Sequence, residues 1–253
     1  MALKLYYDQD IDPGLIRARR TAVLGFGAQG RAQAQNLKDS GAPVTVGLRA
    51  GSISRAAAEA AGLPVQEPGQ AVAEADLVVM LVPDEVQPQV YNEWVAPNLR
   101  QRAMLMFAHG FNIHYRGIVP RADLDVAMVS PNGIGEQVRA QYLAGHGVPG
   151  LVAVHQDMSG SARQLAFSYA WAQGHGRAGI VESTFREETE TDLFAEQAVL
   201  CGGLTHLIEA GFDTLTQAGY APEIAYFCCL HEVKLIADMI YQRGIAGMRE
   251  SIS

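Results

Sequence analysis

The sequence has few cysteines, no basic cluster and no long apolar run. Only 3 of its 253 residues are cysteines, too few for a disulfide framework, which indicates reduced thiols. Acidic residues outnumber basic ones, 27 to 19, for a formal net charge of -8, and without clustered Lys and Arg we expect no nucleic-acid partner. No apolar stretch reaches the roughly 18 residues of a membrane span, and the N-terminus lacks the apolar core of a signal peptide, so we expect a soluble, cytoplasmic protein with no membrane partner.

From Thr21 onwards, short apolar runs alternate with amphipathic stretches. The apolar runs are TAVLGFG, PVTVGLR, DLVVMLVP, AMLMFAHG, DVAMVSP and GLVAVHQ, and this alternation predicts a parallel sheet with crossover helices. Strand signals fade near residue 183. Beyond it we expect two helices separated at Gly202 and Gly203 and a third that begins at Pro222. The sequence therefore predicts an α/β domain over residues 1–183 and an all-helical domain over residues 184–253.

The first apolar run leads into a glycine motif, Gly25-x-Gly27-x-x-Gly30. It lies directly after a predicted strand and before a predicted helix, the context in which such glycines bind a dinucleotide. Gly25 permits the tight turn, Gly27 lets the backbone approach a pyrophosphate, and Gly30 allows close helix packing. The motif predicts that the N-terminal domain is a Rossmann-like dinucleotide-binding domain.

The second predicted strand ends in GLRAGSIS rather than in an acidic residue. An NAD enzyme would carry Asp or Glu there to bind the ribose 2′-hydroxyl. Arg49, Ser52 and Ser54 are instead suited to a 2′-phosphate, so the sequence favours NADP over NAD.

Three carboxylates recur at four-residue intervals early in the helical region. Glu188, Asp192 and Glu196 lie within EETETDLFAEQAVLCGG, a spacing that puts them on one helical face. No Lys or Arg lies between residues 187 and 233 to relieve their repulsion. A solvated acidic face is one explanation, but the apolar neighbours indicate partial burial, and buried carboxylates need partners. Oxygen ligands of this kind favour Mg²⁺.

Several motifs occur in an order found in one enzyme family. They are GFGAQG, GLRAGSIS, VPDEVQ, FAHGFNIH, EETETDLFAEQAVLCGG and AGYAPEIAYF followed by CLHE. Through them the sequence resembles ketol-acid reductoisomerase of the short bacterial type, from about Tyr6 to Ser253. The resemblance implies a Rossmann-like domain, a knotted helical domain that pairs subunits into obligate dimers, and NADPH and two Mg²⁺ ions as cofactors. It also implies an alkyl shift in 2-acetolactate, followed by reduction of the resulting 2-keto acid, in branched-chain amino acid biosynthesis.

The resemblance assigns roles to individual residues. His109 matches the catalytic histidine, Asp192 and Glu196 the first metal ligands, Glu232 a later metal ligand, and Ser253 a serine that contacts substrate. The cofactor contacts fall on Gly25, Phe26, Gly27, Ala28, Gln29, Gly30, Arg49, Ser52, Ser54, Asp84, Glu85, Val86 and Gln87. We place Asn132, Gly135 and Glu188 beside His109 in the catalytic set.

One departure from the family pattern is the loop PNGIGE, which stands where the family has PKGPGH. Asn132 replaces the catalytic lysine, Ile134 the proline and Glu136 the histidine, while Gly135 remains. A cation beside the metal-binding carboxylates is thereby lost.

A second departure is Cys228, in FCCLHE where the family has FECLHE, so a thiol replaces one ligand of the second Mg²⁺. Mg²⁺ prefers oxygen, and a thiol is a poor substitute. The chain ends at Ser253 where family members continue, as expected of either a shortened paralogue or a fragment.

These departures leave three hypotheses about function. The first is an NADPH-dependent reductase of a 2-oxo acid or related carbonyl or imine, in which one Mg²⁺ site is kept and isomerisation is weakened, because the alkyl shift needs two cations and hydride transfer demands less. The second is an ordinary ketol-acid reductoisomerase in which water or Glu136 compensates. The third is a non-catalytic NADPH-binding dimer. In each case we expect a homodimer or a larger homo-oligomer.

Overall fold

A computed structural model describes residues 4–252, and within that range the strands form one sheet in the order β1-β9-β8-β7-β6-β5-β2-β3-β4. The strands are β1 (Leu5–Tyr6), β2 (Thr21–Leu24), β3 (Val44–Gly47), β4 (Val65–Gln66), β5 (Leu77–Met80), β6 (Met104–Phe107), β7 (Asp125–Pro131), β8 (Gly150–Gln156) and β9 (Ile180–Glu182). Every apolar run that predicts a strand contains one of them.

Helices connect these strands and then make up the rest of the chain. The α-helices are α1 (Gly14–Arg17), α2 (Ala28–Asp39), α3 (Arg55–Ala60), α4 (Pro68–Glu74), α5 (Gln87–Val90), α6 (Ala96–Asn98), α7 (Phe111–His114), α8 (Gly135–Leu143), α9 (Ala162–Ala172), α10 (Phe185–Ala195), α11 (Gly203–Gln217), α12 (Pro222–Tyr226) and α13 (Glu232–Ser251). Segments of 3-10 helix lie at Asp8–Asp10 and His175–Arg177, and segments of π-helix lie at Tyr91–Val95, Glu196–Leu200 and Phe227–His231.

The sheet is parallel through its central strands, as predicted, and antiparallel at two pairs. The strands from β4 to β7 pair in parallel, but β8 runs antiparallel to β7, and β1 runs antiparallel to β9. The connection from β7 to β8 therefore leaves and re-enters the sheet at the same end of the strands. Its helix α8 packs against α2. Apolar periodicity identifies a strand but not its direction, so the sequence pattern could not show this reversal.

The sheet is covered on both faces, as a central parallel sheet must be. Successive residues of β2 point to opposite sides: Val23 belongs to the core cluster that includes residues of α2 and α9, whereas Ala22 and Leu24 belong to the cluster that includes residues of α4. All four residues of β2 are buried. The strand ends, rather than the strand faces, are thus left to form a site.

The chain packs as two compact units, of which the first ends at Thr189 and the second begins at Glu190, within α10. In the second unit α11 begins at Gly203 and α12 begins at Pro222, which confirms both predicted helix starts. The third predicted helix is not one regular helix, because a π-helical segment follows α12 and Gly244 adopts a φ of 71° within α13. Ala225 is the one buried apolar residue of this unit among the residues described.

No helix within residues 4–252 combines the length and the apolar character that a membrane span requires.

Candidate functional site

The glycine motif forms the turn between β2 and α2. Gly25 has a φ of 101°, and a Cβ there would lie 2.6 Å from the carbonyl oxygen of Leu81, so only glycine fits the turn. A Cβ on Gly30 would collide with the carbonyl oxygen of Gly25, whereas a Cβ on Gly27 would meet nothing within 4 Å. Gly27 precedes the first residue of α2 and faces open space. The free N–H groups of this helix start fit a pyrophosphate there.

Two neighbours of Gly27 have structural roles in this turn. Phe26 is 3% exposed and belongs to the core, so its side chain supports the loop and only its backbone is available to a cofactor. The side chain of Gln29 donates to the carbonyl of Gly133 (3.0 Å) and accepts from Gln33 (3.0 Å). Ala28 lies exposed at the start of α2.

The loop after β3 holds the three residues expected to bind a 2′-phosphate. Arg49 is exposed, the Ser52 N–H donates to the Arg49 carbonyl (3.1 Å), and the Ser54 N–H lies 3.4 Å from the Ser52 hydroxyl oxygen. Glu67, after β4, also reaches this loop and accepts from the Ala50 N–H (3.1 Å) and the Arg55 guanidinium (3.4 Å). The sequence predicts no acidic residue at the end of β3. Glu67, which reaches this loop from the end of β4, is paired with the guanidinium of Arg55.

The loop PNGIGE packs directly on the glycine turn. A Cβ on Gly135 would collide with the carbonyl oxygen of Ala28 and would lie 2.8 Å from the nitrogen of Gln29. Asn132 and Ile134 are exposed in this loop. Gly135 therefore supports the glycine turn by close packing.

The segment Asp84–Gln87 lies after β5 and is held by a buried asparagine that the sequence analysis missed. Asn112, which is 3% exposed, donates to the Asp84 carbonyl (2.9 Å) and to the Gln87 side-chain oxygen (3.1 Å). Gln87 in turn donates to the Asp84 carboxylate (2.9 Å). Glu85 and Val86 remain exposed between them.

His109 and Glu188 form a hydrogen-bonded pair beyond the end of β6. Nδ1 of His109 lies 3.0 Å from Oε1 of Glu188. The same carboxylate accepts from the Ser130 hydroxyl at Oε1 (2.8 Å) and from the Gly110 N–H at Oε2 (2.9 Å). Gly110 is necessary for this approach, because a Cβ there would collide with Thr189. Glu188 is only 2% exposed, and its partners include an imidazole, a hydroxyl and an N–H.

The balance between burial and neighbouring groups lowers the pKa of Glu188 and raises the pKa of Asp84. Burial alone would raise the pKa of Glu188, but the hydrogen bond and charge of His109, together with the Gly110 and Ser130 donors, hold it below its ordinary value. Burial raises the pKa of Asp84, and the charge of His109 only partly opposes the effects of burial and of the nearby acids Glu85 and Glu188. Glu188 is thus the group that stays ionised.

The expected metal ligands lie along the helices of the second unit. Asp192 follows Glu188 by one turn of α10, and Glu196 begins the π-helical segment after it. Both are exposed in this chain, so the partial burial that their apolar neighbours predict holds only for Glu188. Glu232 and Cys228 are also exposed. Ser253 lies outside the described residues.

Carboxylate oxygens fit Mg²⁺, so the side chains of Asp192 and Glu196 suit one such ion. The pair Cys228 and Glu232 does not, because the sulfur is soft.

Ser130 and Gly110 complete the site although the sequence analysis did not identify them. Phe107 of β6 pairs with Met128 of the parallel strand β7. His109 and Ser130 each follow this pair by two residues, so both lie at the same end of the two strands. No local sequence pattern marks Ser130, because its position beside His109 depends on this register between neighbouring strands.

Comparison with known proteins gives a family model for each of the two parts of the chain. Residues 15–179 match the family model described as acetohydroxy acid isomeroreductase, NADPH-binding domain, and residues 185–253 match that of the ketol-acid reductoisomerase C-terminal domain. An NADH-preferring ketol-acid reductoisomerase from an uncultured archean is 47% identical, with a TM-score of 0.96, over 99% of this chain and 77% of its own.

Two more distant structures share the fold. One is a putative oxidoreductase from Jannaschia sp. CCS1, at 16% identity and a TM-score of 0.71 over 92% of this chain and 88% of its own. The other is a semialdehyde dehydrogenase NAD-binding protein from Cupriavidus necator, at 19% identity and a TM-score of 0.69 over 88% and 84%. The two family models together span nearly the whole described chain, and the protein belongs to the ketol-acid reductoisomerase family of NAD(P)-dependent oxidoreductases.

Proposed function

We propose that this protein is an NADPH-dependent reductase that acts on a 2-oxo acid or a related carbonyl or imine with Mg²⁺ assistance, and that its isomerase step is weakened or lost. The observation that carries the proposal is a contrast among the expected site residues. His109 and Glu188 form a complete hydrogen-bonded pair, whereas the residues at the lysine and second-metal positions are Asn132 and Cys228. The parts needed for reduction are present, and two parts needed for the alkyl shift are replaced.

The nicotinamide cofactor binds along the strand ends in this proposal. Gly27 and the start of α2 would hold the pyrophosphate, and Arg49, Ser52 and Ser54 would hold the 2′-phosphate. The guanidinium of Arg49 is exposed and can form charge-assisted hydrogen bonds with a phosphate. Because Glu67 is engaged by the Ala50 N–H and Arg55, its carboxylate opposes the phosphate less than an unpaired acid would.

His109 acts as the general acid in the proposed reduction. The bound nicotinamide would supply hydride to the substrate carbonyl carbon. The protonated imidazole of His109 would donate its proton to the oxygen as the C=O π bond breaks. Glu188 stabilises the imidazolium before the proton is transferred, because its buried carboxylate carries the opposite charge beside the ring. Asp192 and Glu196 would hold a Mg²⁺ ion, which supplies Lewis-acid polarisation of the carbonyl when bound.

The isomerase step places a larger demand on the site. It requires deprotonation of a tertiary hydroxyl and polarisation of a neighbouring ketone, which two cations perform together. Cys228 offers sulfur where an oxygen ligand is needed, and Asn132 carries no charge. Both changes act against the same chemical step.

A second candidate is an ordinary ketol-acid reductoisomerase that converts acetolactate. The 47% identical structure is described as an NADH-preferring member of that family, which favours the full two-step activity and allows NADH as the cofactor. A non-catalytic NADPH-binding dimer is the third candidate, and its expected result is cofactor binding without turnover.

One assay separates these candidates. The purified protein is given acetolactate, or the already isomerised 3-hydroxy-3-methyl-2-oxobutyrate, with NADPH or NADH and a series of Mg²⁺ concentrations. We expect much faster NADPH oxidation with the isomerised acid. Comparable rates with both acids would establish the second candidate, and no oxidation with either acid, despite cofactor binding, would establish the third.

A further inference from the structure

Ser130 occupies a position that none of the expected site roles includes. It lies next to the last residue of β7 and is 8% exposed. Its hydroxyl donates to Oε1 of Glu188 (2.8 Å), the same oxygen that lies 3.0 Å from Nδ1 of His109. We infer that Ser130 is a positioning residue that acts on His109 through Glu188.

The carboxylate of Glu188 is held at both oxygens. Ser130 donates to Oε1 and the Gly110 N–H donates to Oε2 (2.9 Å). These two donors lie on different elements, the end of β7 and the turn before α7, so together they define the plane in which the carboxylate lies. A buried anion with both oxygens hydrogen-bonded accepts a proton poorly and acts as an acceptor.

This arrangement selects one tautomer of the neutral imidazole. Because Oε1 of Glu188 is an acceptor, Nδ1 of His109 carries the hydrogen and donates it, which leaves the lone pair on Nε2. Nε2 is then the atom that takes up and delivers the substrate proton. The kinetic part of the inference rests on the proposed reductase activity, whereas the tautomer is independent of it.

The hydroxyl of Ser130 is the restraint that a single substitution can remove. Without it, Oε1 loses the Ser130 donor, and the carboxylate and ring are held less firmly in their orientation. We expect Ser130→Ala to lower kcat for the isomerised substrate about tenfold while the KM for NADPH stays within about twofold, because orientation at the reacting group is lost and cofactor binding is not.

The test combines kinetics with a direct measurement of the tautomer. His109 is assigned in nitrogen NMR spectra of the isotopically labelled full chain by comparison with His109→Gln, at alkaline pH where histidine rings are neutral. We expect the parent to show the Nδ1-protonated form, Ser130→Ala to show a mixture of both tautomers, and Ser130→Thr, which keeps the hydroxyl, to restore the parent spectrum and kcat.

Ser168→Ala is the matched control. Ser168 is also buried, on α9, and its hydroxyl donates to the carbonyl of Asp12 (2.7 Å), so this variant loses a buried hydroxyl far from His109. It should keep the parent tautomer and kcat. The inference is overturned if the parent shows the Nε2-protonated form, or if Ser130→Ala keeps both the parent spectrum and the parent kcat. A mixed-tautomer Ser130→Ala spectrum from a parent without reductase activity would instead count against the proposed function alone.

Discussion

The side-chain amide of Gln29 donates a hydrogen bond to the main-chain carbonyl of Gly133 (3.0 Å), which joins the glycine turn to the loop PNGIGE. Gly135, in the same loop, lies so close to Ala28 and Gln29 that no Cβ fits between them. The loop PNGIGE and the glycine turn are therefore parts of one packed unit, and we expect a change in one to alter the other.

This packing predicts the effect of Gly135→Ala. The added methyl meets backbone atoms that cannot move aside, so we expect a loss of stability of about 1 to 3 kcal/mol and weaker NADPH binding. Thermal unfolding and NADPH fluorescence titration measure the two effects. Gly133→Ala is the control, since its Cβ would meet only the Val148 side chain at 3.4 Å. Equal stability and affinity in both variants would contradict the prediction.

Arg49 is predicted to determine the cofactor preference. Its bonds to the 2′-phosphate should contribute about 1.5 to 3 kcal/mol, and Arg49→Ala should remove most of the preference for NADPH over NADH. Dissociation constants for both cofactors test this. Arg19→Ala, which removes the same charge from another exposed position, should keep the preference. A parent protein that binds NADH as tightly as NADPH would refute it.

The proposed function predicts that introducing the family residues at positions 132 and 228 increases isomerisation. We expect Cys228→Glu combined with Asn132→Lys to raise the acetolactate rate more than the product of the single effects, because both groups act on one chemical step. Cys201→Glu, at another exposed cysteine of the helical unit, is the control and should have no effect. Steady-state rates at several Mg²⁺ concentrations measure the gain, and an unchanged rate in the double variant would exclude a role for these two positions.

The helical unit should assemble with a second copy of the chain. Large apolar side chains are exposed there, among them Phe194 (68%), Leu207 (72%) and Tyr241 (93%), and such exposure in a monomer is unfavourable. We expect a homodimer or larger assembly with an interface above about 1,600 Å².

Light scattering at micromolar concentration tests this assembly. Leu207→Glu should shift it towards monomer, whereas Leu143→Glu, at a similarly exposed position of the first unit (66%), should not. A monomeric parent would disprove the prediction.

His175 should make stability depend on pH. The ring is fully buried, its Nδ1 lies 2.8 Å from the Val148 carbonyl, and Nε2 has no partner among the described residues. Burial lowers the pKa of His175 from 6.5 to about 4, so the unfolded chain takes up a proton before the folded one does. Stability is therefore complete above about pH 6.5 and falls as the pH drops towards 4, by up to roughly 3 kcal/mol.

Urea unfolding across this pH range, with His175→Asn for comparison, measures the effect. Asparagine keeps a donor for the Val148 carbonyl but does not titrate, so its stability should decline less steeply with falling pH. Parallel curves for the two proteins would show that His175 is not responsible.

The sequence by itself determined the features that depend on local chemistry. Gly25 and Gly30 placed the turn before α2 because a backbone without Cβ is required at both. Pro222 marked a helix start because its fixed φ suits the first turn, and alternating apolar runs located the main strands. The motifs around His109 and Asp192 gave the resemblance to the family.

Only the tertiary structure decided which groups meet across long sequence separations. The reversal of β8, the burial of Phe26 in the core, and the convergence of His109, Ser130 and Glu188 all follow from strand order and register. A short sequence pattern carries no information on which strand end lies beside another, because that choice depends on the packing of the whole sheet and its helices. Glu188 accordingly has among its partners an imidazole, a hydroxyl and an N–H from residues distant in the sequence.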